Sequence, residues 1–323
     1  MTTTAEHLAP TLIRQLITAA VAAPSVHNTQ PWLFRIDHDR VHVLADTSRQ
    51  LTAQDPEGRA MLMSCGAALL NLRLAAEHYG HTGTVTLFPT SDQSHIATVD
   101  LHGRVRPTAM VDELFSAIPN RHTNRMPYED RPVPPAVIEA LTEAARQEGA
   151  DFYAVNEPSE RRRLVDLIHD ADAAQNPEVM AESRRWTGVE DSRPDGVPAG
   201  ALGPIPQDPA TPHRDLAPGR LISARGFAVF EHDPTLAVLT TNNDDRTAWV
   251  TAGQGLQRVL LAATVEGLVA TFANQPLEAP QLRWLVRDPD QPIGYPQMLF
   301  RLGYAPTAPA TLRRPIEDVI LGD

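Results

Sequence analysis

A repeated helix constrains the fold of this chain more than any other feature. Residues 64–80 and 251–267 are apolar stretches of helical period that align at a constant offset of 187 positions (253 − 66). The seven matched pairs are Gly66/Gly253, Leu69/Leu256, Leu74/Leu261, Ala75/Ala262, Ala76/Ala263, Gly80/Gly267 and the upstream Arg59/Arg246. Unrelated alanine-rich helices give fewer matches by chance, so the sequence predicts an internal duplication.

The first helix of each copy repeats as well, at a different offset. Ile13 and Leu16 align with Ile138 and Leu141 when the chain is shifted by 125 positions (138 − 13). The difference between the two offsets, 187 − 125 = 62, is the length of an insertion in the second copy. It falls at about residues 154–225. The predicted organisation is therefore a shortened first half, residues 1–110, and a second half, residues 111–323, that carries the insertion.

The core of the insertion, residues 186–220, is dense in Pro and Gly and has no apolar period. We expect a long irregular excursion, and such excursions in compact domains are usually functional lids or disordered linkers. Trp186, Leu202 and Ile205 provide apolar anchors, which favours a lid over a linker.

Composition excludes several classes of function. The chain has 323 residues, 42% of them hydrophobic, so it can bury a full core. Its net charge of −12 argues against a nucleic-acid or membrane-surface partner. We find neither a basic leader nor a run of about 20 apolar residues, and the single cysteine, Cys65, agrees with a reducing cytoplasm. His38 and His42 lack a third ligand nearby, so no metal site is predicted.

Residues 24–34 read Pro-Ser-Val-His-Asn-Thr-Gln-Pro-Trp-Leu-Phe and join the first helix to a strand. The prolines stop the helix, and the polar residues concentrate hydrogen-bonding groups in a short turn. One interpretation is local, in which Ser25 and Asn28 satisfy loose backbone groups and Trp32 is core. The other is a ligand-binding turn.

The pattern Pro-Ser-x-x-Asn-x-Gln-Pro-Trp-x-Phe resembles the FMN-facing turn of the nitroreductase family. The resemblance implies that Ser25, Asn28 and Gln30 reach the flavin and its ribityl chain from across a subunit interface. It implies no catalytic side chain, because hydride chemistry belongs to the flavin.

A basic segment precedes the first helix of the second copy and is absent from the first. Its Arg121-x-Thr123-x-Arg125 resembles the family's Arg-x-Ser-x-Arg/Lys segment, in which the first two residues hold the FMN phosphate and the third reaches the flavin pyrimidine edge. Arginine and hydroxyl donors suit a dianionic phosphate, and a fixed cation beside that edge stabilises the reduced flavin. The alternative is a solvated loop that caps the next helix.

The C-terminal sequence at residues 312–319, Leu-Arg-Arg-Pro-Ile-Glu-Asp-Val, resembles the family's Arg-x-Pro-Leu-Glu-Glu-Val tail, whose Arg meets the FMN phosphate. Arg313 is the better-aligned residue and Arg314 the alternative. An exposed basic tail is the other interpretation.

Together these resemblances imply two nitroreductase-like halves fused in one chain, an Acg-like subgroup of FMN-binding proteins. The implied fold class is α+β, with two antiparallel sheets and the central helices from Gly58 and Thr247 forming an intramolecular pseudo-dimer. Each half lacks the motif that the other keeps, so one complete site per chain is expected. The sequence leaves open whether the chain is a monomer or a homodimer.

The resemblance implies an FMN-dependent NAD(P)H oxidoreductase acting on nitroaromatics or quinones. A second hypothesis is a protein that stores or sequesters FMN beneath a lid, with little reductase activity. A third, remote one is a stress protein that uses the fold without flavin.

Overall fold

A computed structural model describes residues 7–174, 176–208, 211–222, 225–287 and 294–322. The first half contains two helices and a four-stranded antiparallel sheet of order β1-β2-β4-β3. In chain order its elements are α1 (Pro10–Val21), β1 (Trp32–Asp37), β2 (Arg40–Ala45), α2 (Arg59–His78), β3 (His81–Leu87) and β4 (His95–Arg104). The strand expected after the turn is β1, and the central helix expected from Gly58 is α2.

Helix α3 (Ala109–Ala117) leads to the second half, which also contains a four-stranded sheet. The following elements are α4 (Pro135–Arg146), β5 (Asp151–Ala154), α5 (Pro158–Ala173), α6 (Pro177–Arg184), β6 (Thr187–Val189), β7 (Val197–Pro198), β8 (Ile205–Pro206) and β9 (Phe227–Ala228). The chain ends with β10 (Thr235–Thr241), α7 (Arg246–Val265), β11 (Val269–Phe272), α8 (Gln275–Glu278), α9 (Pro280–Arg283) and β12 (Tyr295–Gly303).

The two large sheets have the same topology. The second runs β5-β10-β12-β11, so its strands correspond in order to β1-β2-β4-β3 of the first. Helices α4 and α7 then correspond to α1 and α2, as the two sequence offsets predict. The α+β fold class is confirmed, and α2 and α7 pack against each other between the halves.

The repeated glycines lie where these central helices cross. A Cβ atom on Gly66 would lie 2.2 Å from the carbonyl oxygen of Val250, and one on Gly253 would lie 2.0 Å from that of Met63. Met63 and Val250 are themselves 187 positions apart (250 − 63). The crossing is therefore reciprocal, and each glycine admits the other helix's backbone. Such self-complementary contact is what a two-fold interface requires.

Helix α2 corrects the expectation that no segment of the chain is long and apolar enough to span a membrane. Arg59–His78 is the one described helix long and apolar enough to cross a membrane by length and composition. Its apolar window is 83% buried inside the protein, between α1, α3, α7 and the first sheet. Cys65 lies in this helix, fully buried, and burial raises the pKa of its thiol to about 12. Both observations are those of a core helix.

The insertion is more ordered than its composition indicated. It begins with α5 and α6, which the sequence reading did not predict, and only the part after residue 186 is largely irregular. That part forms a small core of its own around Leu202, which is fully buried. Trp186 and Ile205 are half-buried, so of the three expected apolar anchors Leu202 is the strongest.

The C-terminal segment returns to the first half. The backbone N–H of Phe34 in β1 donates to the carbonyl oxygen of Val319 at 2.7 Å, and that of Leu321 donates to Phe34 at 2.8 Å. The tail therefore covers the outer edge of β1. This pairing brings the arginines of the tail next to the turn that precedes β1.

Candidate functional site

The turn between α1 and β1 has an unusual backbone. His27, Asn28 and Gln30 have positive φ angles of 46°, 55° and 50°. Such angles cost free energy for residues with a side chain, and they persist where surrounding contacts enforce them, often at functional sites. Here Ser25 Oγ accepts a hydrogen bond from the Gln30 backbone at 2.9 Å, and the Val26 backbone donates to Ser64 of α2 at 3.3 Å. The turn is thus held open against α2 in one conformation.

The amides of Asn28 and Gln30 contact the insertion and the tail. Asn28 Nδ2 donates to the carbonyl oxygen of Gly196 at 2.9 Å, and Gln30 Nε2 donates to that of Pro194 at 2.8 Å. Gln30 Oε1 accepts from the backbone of Arg314 at 2.8 Å. Both side chains are buried, and neither lines the cavity described below. In this structure they join the turn to segment 194–196 of the insertion.

Arg121 and Arg313 form a pair of cations without an anion. Their guanidinium groups each approach the carbonyl oxygen of Ala22 at 3.4 Å, and in the described part of the chain neither forms an ion pair with a carboxylate. The Nε atoms of both are enclosed and have no hydrogen-bond partner there. Burial, together with the charge of Arg313, lowers the pKa of Arg121 to about 9, and burial lowers that of Arg313 to about 10.

Two enclosed, unpaired guanidinium groups are costly unless an anion joins them. A phosphate would satisfy both, since its oxygens accept several guanidinium hydrogen bonds at once. The neighbouring Arg314 lies 3.6 Å from Asp46 and is paired with it. Of the two arginines that the sequence left open, Arg313 is therefore the one placed beside Arg121.

Ser25, Thr123 and Arg125 line a cavity of about 260 Å³ between the two halves. Thr123 is fixed by a backbone bridge to Ala270 of β11, and Arg125 donates to the carbonyl oxygen of Ala201 in the insertion at 3.0 Å. Burial lowers the pKa of Arg125 to about 10. The cavity thus combines one predicted residue from the first half with two from the second.

The cavity walls come from both halves and from the insertion. The first-half turn, the loop before α2 and the first turns of α2 form one side, and β11 and β12 form the other. Arg214 and Leu216 of the insertion line it as well. The insertion is therefore part of the site.

The polar residues of this cavity that sequence reasoning missed include His27, Gln54, Arg59 and Arg214. His27 was inside the quoted turn motif, and Arg59 was a member of the repeat, so both had a signal that was not used. Gln54 and Arg214 had none. Burial, with the charge of Arg214, lowers the pKa of His27 to about 3, so its ring is neutral.

The equivalent place in the other half also has a cavity, lined by β3, β4 and both central helices, but the turn beside it differs. By the offset of 125, Glu148 stands where the first half has Ala23, and Gly149 where it has Pro24. Glu148 is enclosed and bridges two arginines of the central helices, Arg73 of α2 at 2.5 Å and Arg258 of α7 at 2.6 Å. This turn links the two central helices at their second end through a salt-bridge network.

In the described ranges, no three His, Cys, Asp or Glu side chains cluster as metal ligands would. His42 contacts His95 at 3.1 Å rather than His38, which is half-exposed beside Asp37.

Known proteins share sequence with most of this chain. A model of the Nitroreductase family matches residues 118–304. The Mycobacterium tuberculosis (strain ATCC 25618 / H37Rv) protein named "Putative NAD(P)H nitroreductase Rv3131" is 35% identical over 320 residues, which is 95% of this chain and 90% of the relative. The protein of the same strain named "Putative NAD(P)H nitroreductase acg" is 31% identical over 324 residues, 95% of each chain.

Among solved structures, a nitroreductase with bound FMN from Desulfitobacterium hafniense DCB-2 is 16% identical, with a TM-score of 0.40 over 65% of this chain and 98% of that chain. A nitroreductase with bound FMN from Bacteroides fragilis NCTC 9343 is 17% identical, with a TM-score of 0.38 over 63% and 94%. The family match covers more than half of the chain, and the identity to the first relative extends over nearly all of it. This chain belongs to the nitroreductase family.

Proposed function

We propose that this chain binds one FMN between its two halves and is an NAD(P)H-dependent oxidoreductase of nitroaromatics or quinones. The observation that carries the proposal is the pair Arg121 and Arg313, whose enclosed Nε atoms have no partner in the described residues. Family membership supports the same cofactor class, since the relatives are named as NAD(P)H nitroreductases and similar solved structures hold FMN.

The residues present fit FMN in kind and in place. Arg121 and Arg313 would hold the phosphate, and the adjacent cavity lined by Ser25, Thr123 and Arg125 would take the flavin ring. FMN, when bound, supplies two-electron carrier chemistry that no side chain of this cavity possesses. Arg125 would place a positive charge beside the ring, and Ser25 and Thr123 would offer hydroxyl groups to it.

The contact of Asn28 and Gln30 with the flavin stays a prediction. Their amides donate to the carbonyls of segment 194–196, so a direct contact requires this segment to withdraw. With the segment in place, we assign them a different task, which is to fasten the insertion over the first-half turn. All seven proposed cofactor-binding positions come from one chain, so the proposed site does not require a second copy.

The test is the visible absorbance of the purified protein, loaded with FMN, before and after anaerobic addition of NADPH or NADH. A flavin spectrum that survives gel filtration and then bleaches is the expected result. A nitroaromatic or quinone added afterwards should restore the spectrum. A protein that does not retain FMN would contradict the proposal.

A second candidate function, storage or sequestration of FMN, is favoured by the position of the insertion. Its backbone accepts hydrogen bonds from Gln30, Asn28 and Arg125, and its Asp195 pairs with Arg49 of the first half at 2.8 Å. A segment docked in this way restricts access to a cavity that a nicotinamide must enter.

Asp195→Asn separates the two candidates. If the insertion excludes the nicotinamide, losing this ion pair should accelerate bleaching by NADPH, whereas the exposed Asp191→Asn should leave the rate unchanged. Equal rates in the wild-type protein and both variants, at a turnover typical of enzymes, would exclude sequestration.

A further inference from the structure

Gln54, in the loop before α2, has an unused hydrogen-bond donor beside the cavity. The residue lines the cavity and is only 4% exposed, yet its amide Nε2 has no hydrogen-bond partner in the part of the chain that the structure describes. A buried amide donor without an acceptor costs on the order of 1–3 kcal/mol, so such groups in a native cavity indicate a missing partner.

The amide is held in one orientation by its neighbours. The backbone N–H groups of Ala53 and Gln54 both donate to the carboxylate of Glu182 in α6, at 3.1 Å and 3.0 Å. The side-chain Oε1 lies 2.8 Å from His27 Nε2. Because a carbonyl oxygen can only accept, the neutral ring of His27 must carry its proton on Nε2. The Nε2 end of the amide therefore remains free.

The electrostatic surroundings select the kind of partner. Arg125 and Arg214 line the same cavity, and Arg214 is paired with Glu278 across two hydrogen bonds. An amide donor beside these charges suits an uncharged oxygen that becomes more negative as it gains electrons. A nitro or quinone oxygen has this property, and a hydrocarbon of the same shape has none.

We propose that Gln54 binds the electron acceptor, its Nε2 donating to a nitro or quinone oxygen of a planar aromatic substrate while His27 orients the amide. The proposal rests on the proposed FMN-dependent function and adds the residue that recognises the acceptor. His27 acts as a positioning residue, since its Nε2 already contacts Gln54.

The test measures binding without turnover. The FMN-loaded, oxidised protein is titrated with 1,4-naphthoquinone and with naphthalene, in the absence of NAD(P)H, by calorimetry. Gln54→Met removes the donor and keeps the length of the side chain. We expect it to weaken naphthoquinone binding by roughly threefold to tenfold, the usual value of one neutral hydrogen bond, and to leave naphthalene binding unchanged.

Two further variants make the result decisive. His27→Phe keeps a ring but releases the amide, so the preference for naphthoquinone over naphthalene should fall by less than in Gln54→Met. Gln147→Met, on the exposed surface after α4, is the matched control and should change neither affinity. If Gln54→Met is too unstable to purify, the ratio of the two affinities in His27→Phe carries the test.

Two outcomes would overturn the proposal. Equal loss of both probes in Gln54→Met would mean that the side chain only packs. A loss of FMN affinity with an unchanged ratio of the two probes would mean that the amide serves the flavin. FMN retention is recorded for every variant, so failure of the wild-type protein to hold FMN is recognised separately as failure of the proposed function, on which this proposal rests.

Discussion

The turn after α1 and the turn after α4 occupy equivalent places in the two halves, but their chemistry is opposite. The first has three residues at positive φ and stands near the unpaired cations Arg121 and Arg313. The second is tight, and its Glu148 neutralises two arginines of the central helices. Between these turns, α2 and α7 cross symmetrically, because Gly66 and Gly253 make equivalent contacts with the opposite helix. The comparison teaches that the two halves share a symmetric interface and differ in the turns at its two ends, and the proposed FMN site lies at one of them.

The largest expected effect concerns the symmetric crossing. Gly66→Ala and Gly253→Ala each place a Cβ within 2.2 Å of a backbone oxygen, so we expect each to cost about 3 kcal/mol of unfolding free energy, in nearly equal amounts. Gly200→Ala, with no atom within 4 Å of the new Cβ, should change stability by less than about 0.5 kcal/mol. Urea unfolding measures all three. Clearly unequal losses of unfolding free energy in Gly66→Ala and Gly253→Ala would contradict a symmetric crossing.

Glu148→Gln tests whether the second turn is purely structural. It leaves Arg73 and Arg258 without their shared carboxylate, and the expected loss is about 3 kcal/mol of stability. FMN affinity should not change, because the proposed FMN site lies at the other end of the helix pair. A loss of FMN binding at conditions where the variant is folded would show that both ends contribute.

Arg121→Met tests the other end, where function and stability should respond in opposite directions. Loss of a guanidinium donor to phosphate should weaken FMN by about tenfold to a hundredfold. Without FMN the variant should be more stable than the wild type by about 1 kcal/mol, because the enclosed pair of like charges is removed. The exposed Arg106→Met is the control. A variant that loses stability and keeps FMN would contradict the assignment.

The loss of folding stability at acid pH should come partly from two buried histidines, one in the turn after α1 and one in the insertion. Burial lowers the folded-state pKa of His27 and of His213 to about 3, from 6.5 in the unfolded chain. Between these values the unfolded chain binds more protons, so stability falls as the pH drops from about 6.5 toward 3.

The measurable window lies between pH 7 and 5, where each histidine should account for about 1–2 kcal/mol. His213→Gln should reduce that slope, and the exposed His102→Gln should not. Urea unfolding at three pH values gives the comparison. An unchanged slope in His213→Gln would show that this ring titrates normally.

Local sequence patterns predicted part of the fold and of the candidate site. The repeat predicted that Gly66 and Gly253 occupy equivalent positions. A close approach of the two helix backbones explains why both positions are glycine. Residues 295–303 have the sequence of a buried strand that ends at a turn, and they form β12. Arg121 and Arg313 are far apart in the chain, and only the family resemblance assigned both to the FMN phosphate. In the structure, the pairing of the tail with β1 places them side by side.

What the sequence did not predict depends on backbone contacts over long distances. Asn28 and Gln30 donate to carbonyl oxygens of the insertion, and any residue type supplies a carbonyl. Gln54 belongs to no motif, and its significance appears only when its amide is found without a partner. Helices α5 and α6 were missed because the insertion was judged by the Pro and Gly content of its later part.

The most direct test of the central claim is the number of FMN molecules that one chain binds. Titration of the FMN-free protein, followed by flavin fluorescence and checked by mass spectrometry under native conditions, should give one FMN per chain. The stoichiometric binding should be lost in an Arg121→Met, Arg313→Met double variant that remains folded. Two FMN per chain, or one FMN retained by that folded double variant, would contradict a single site built on these arginines.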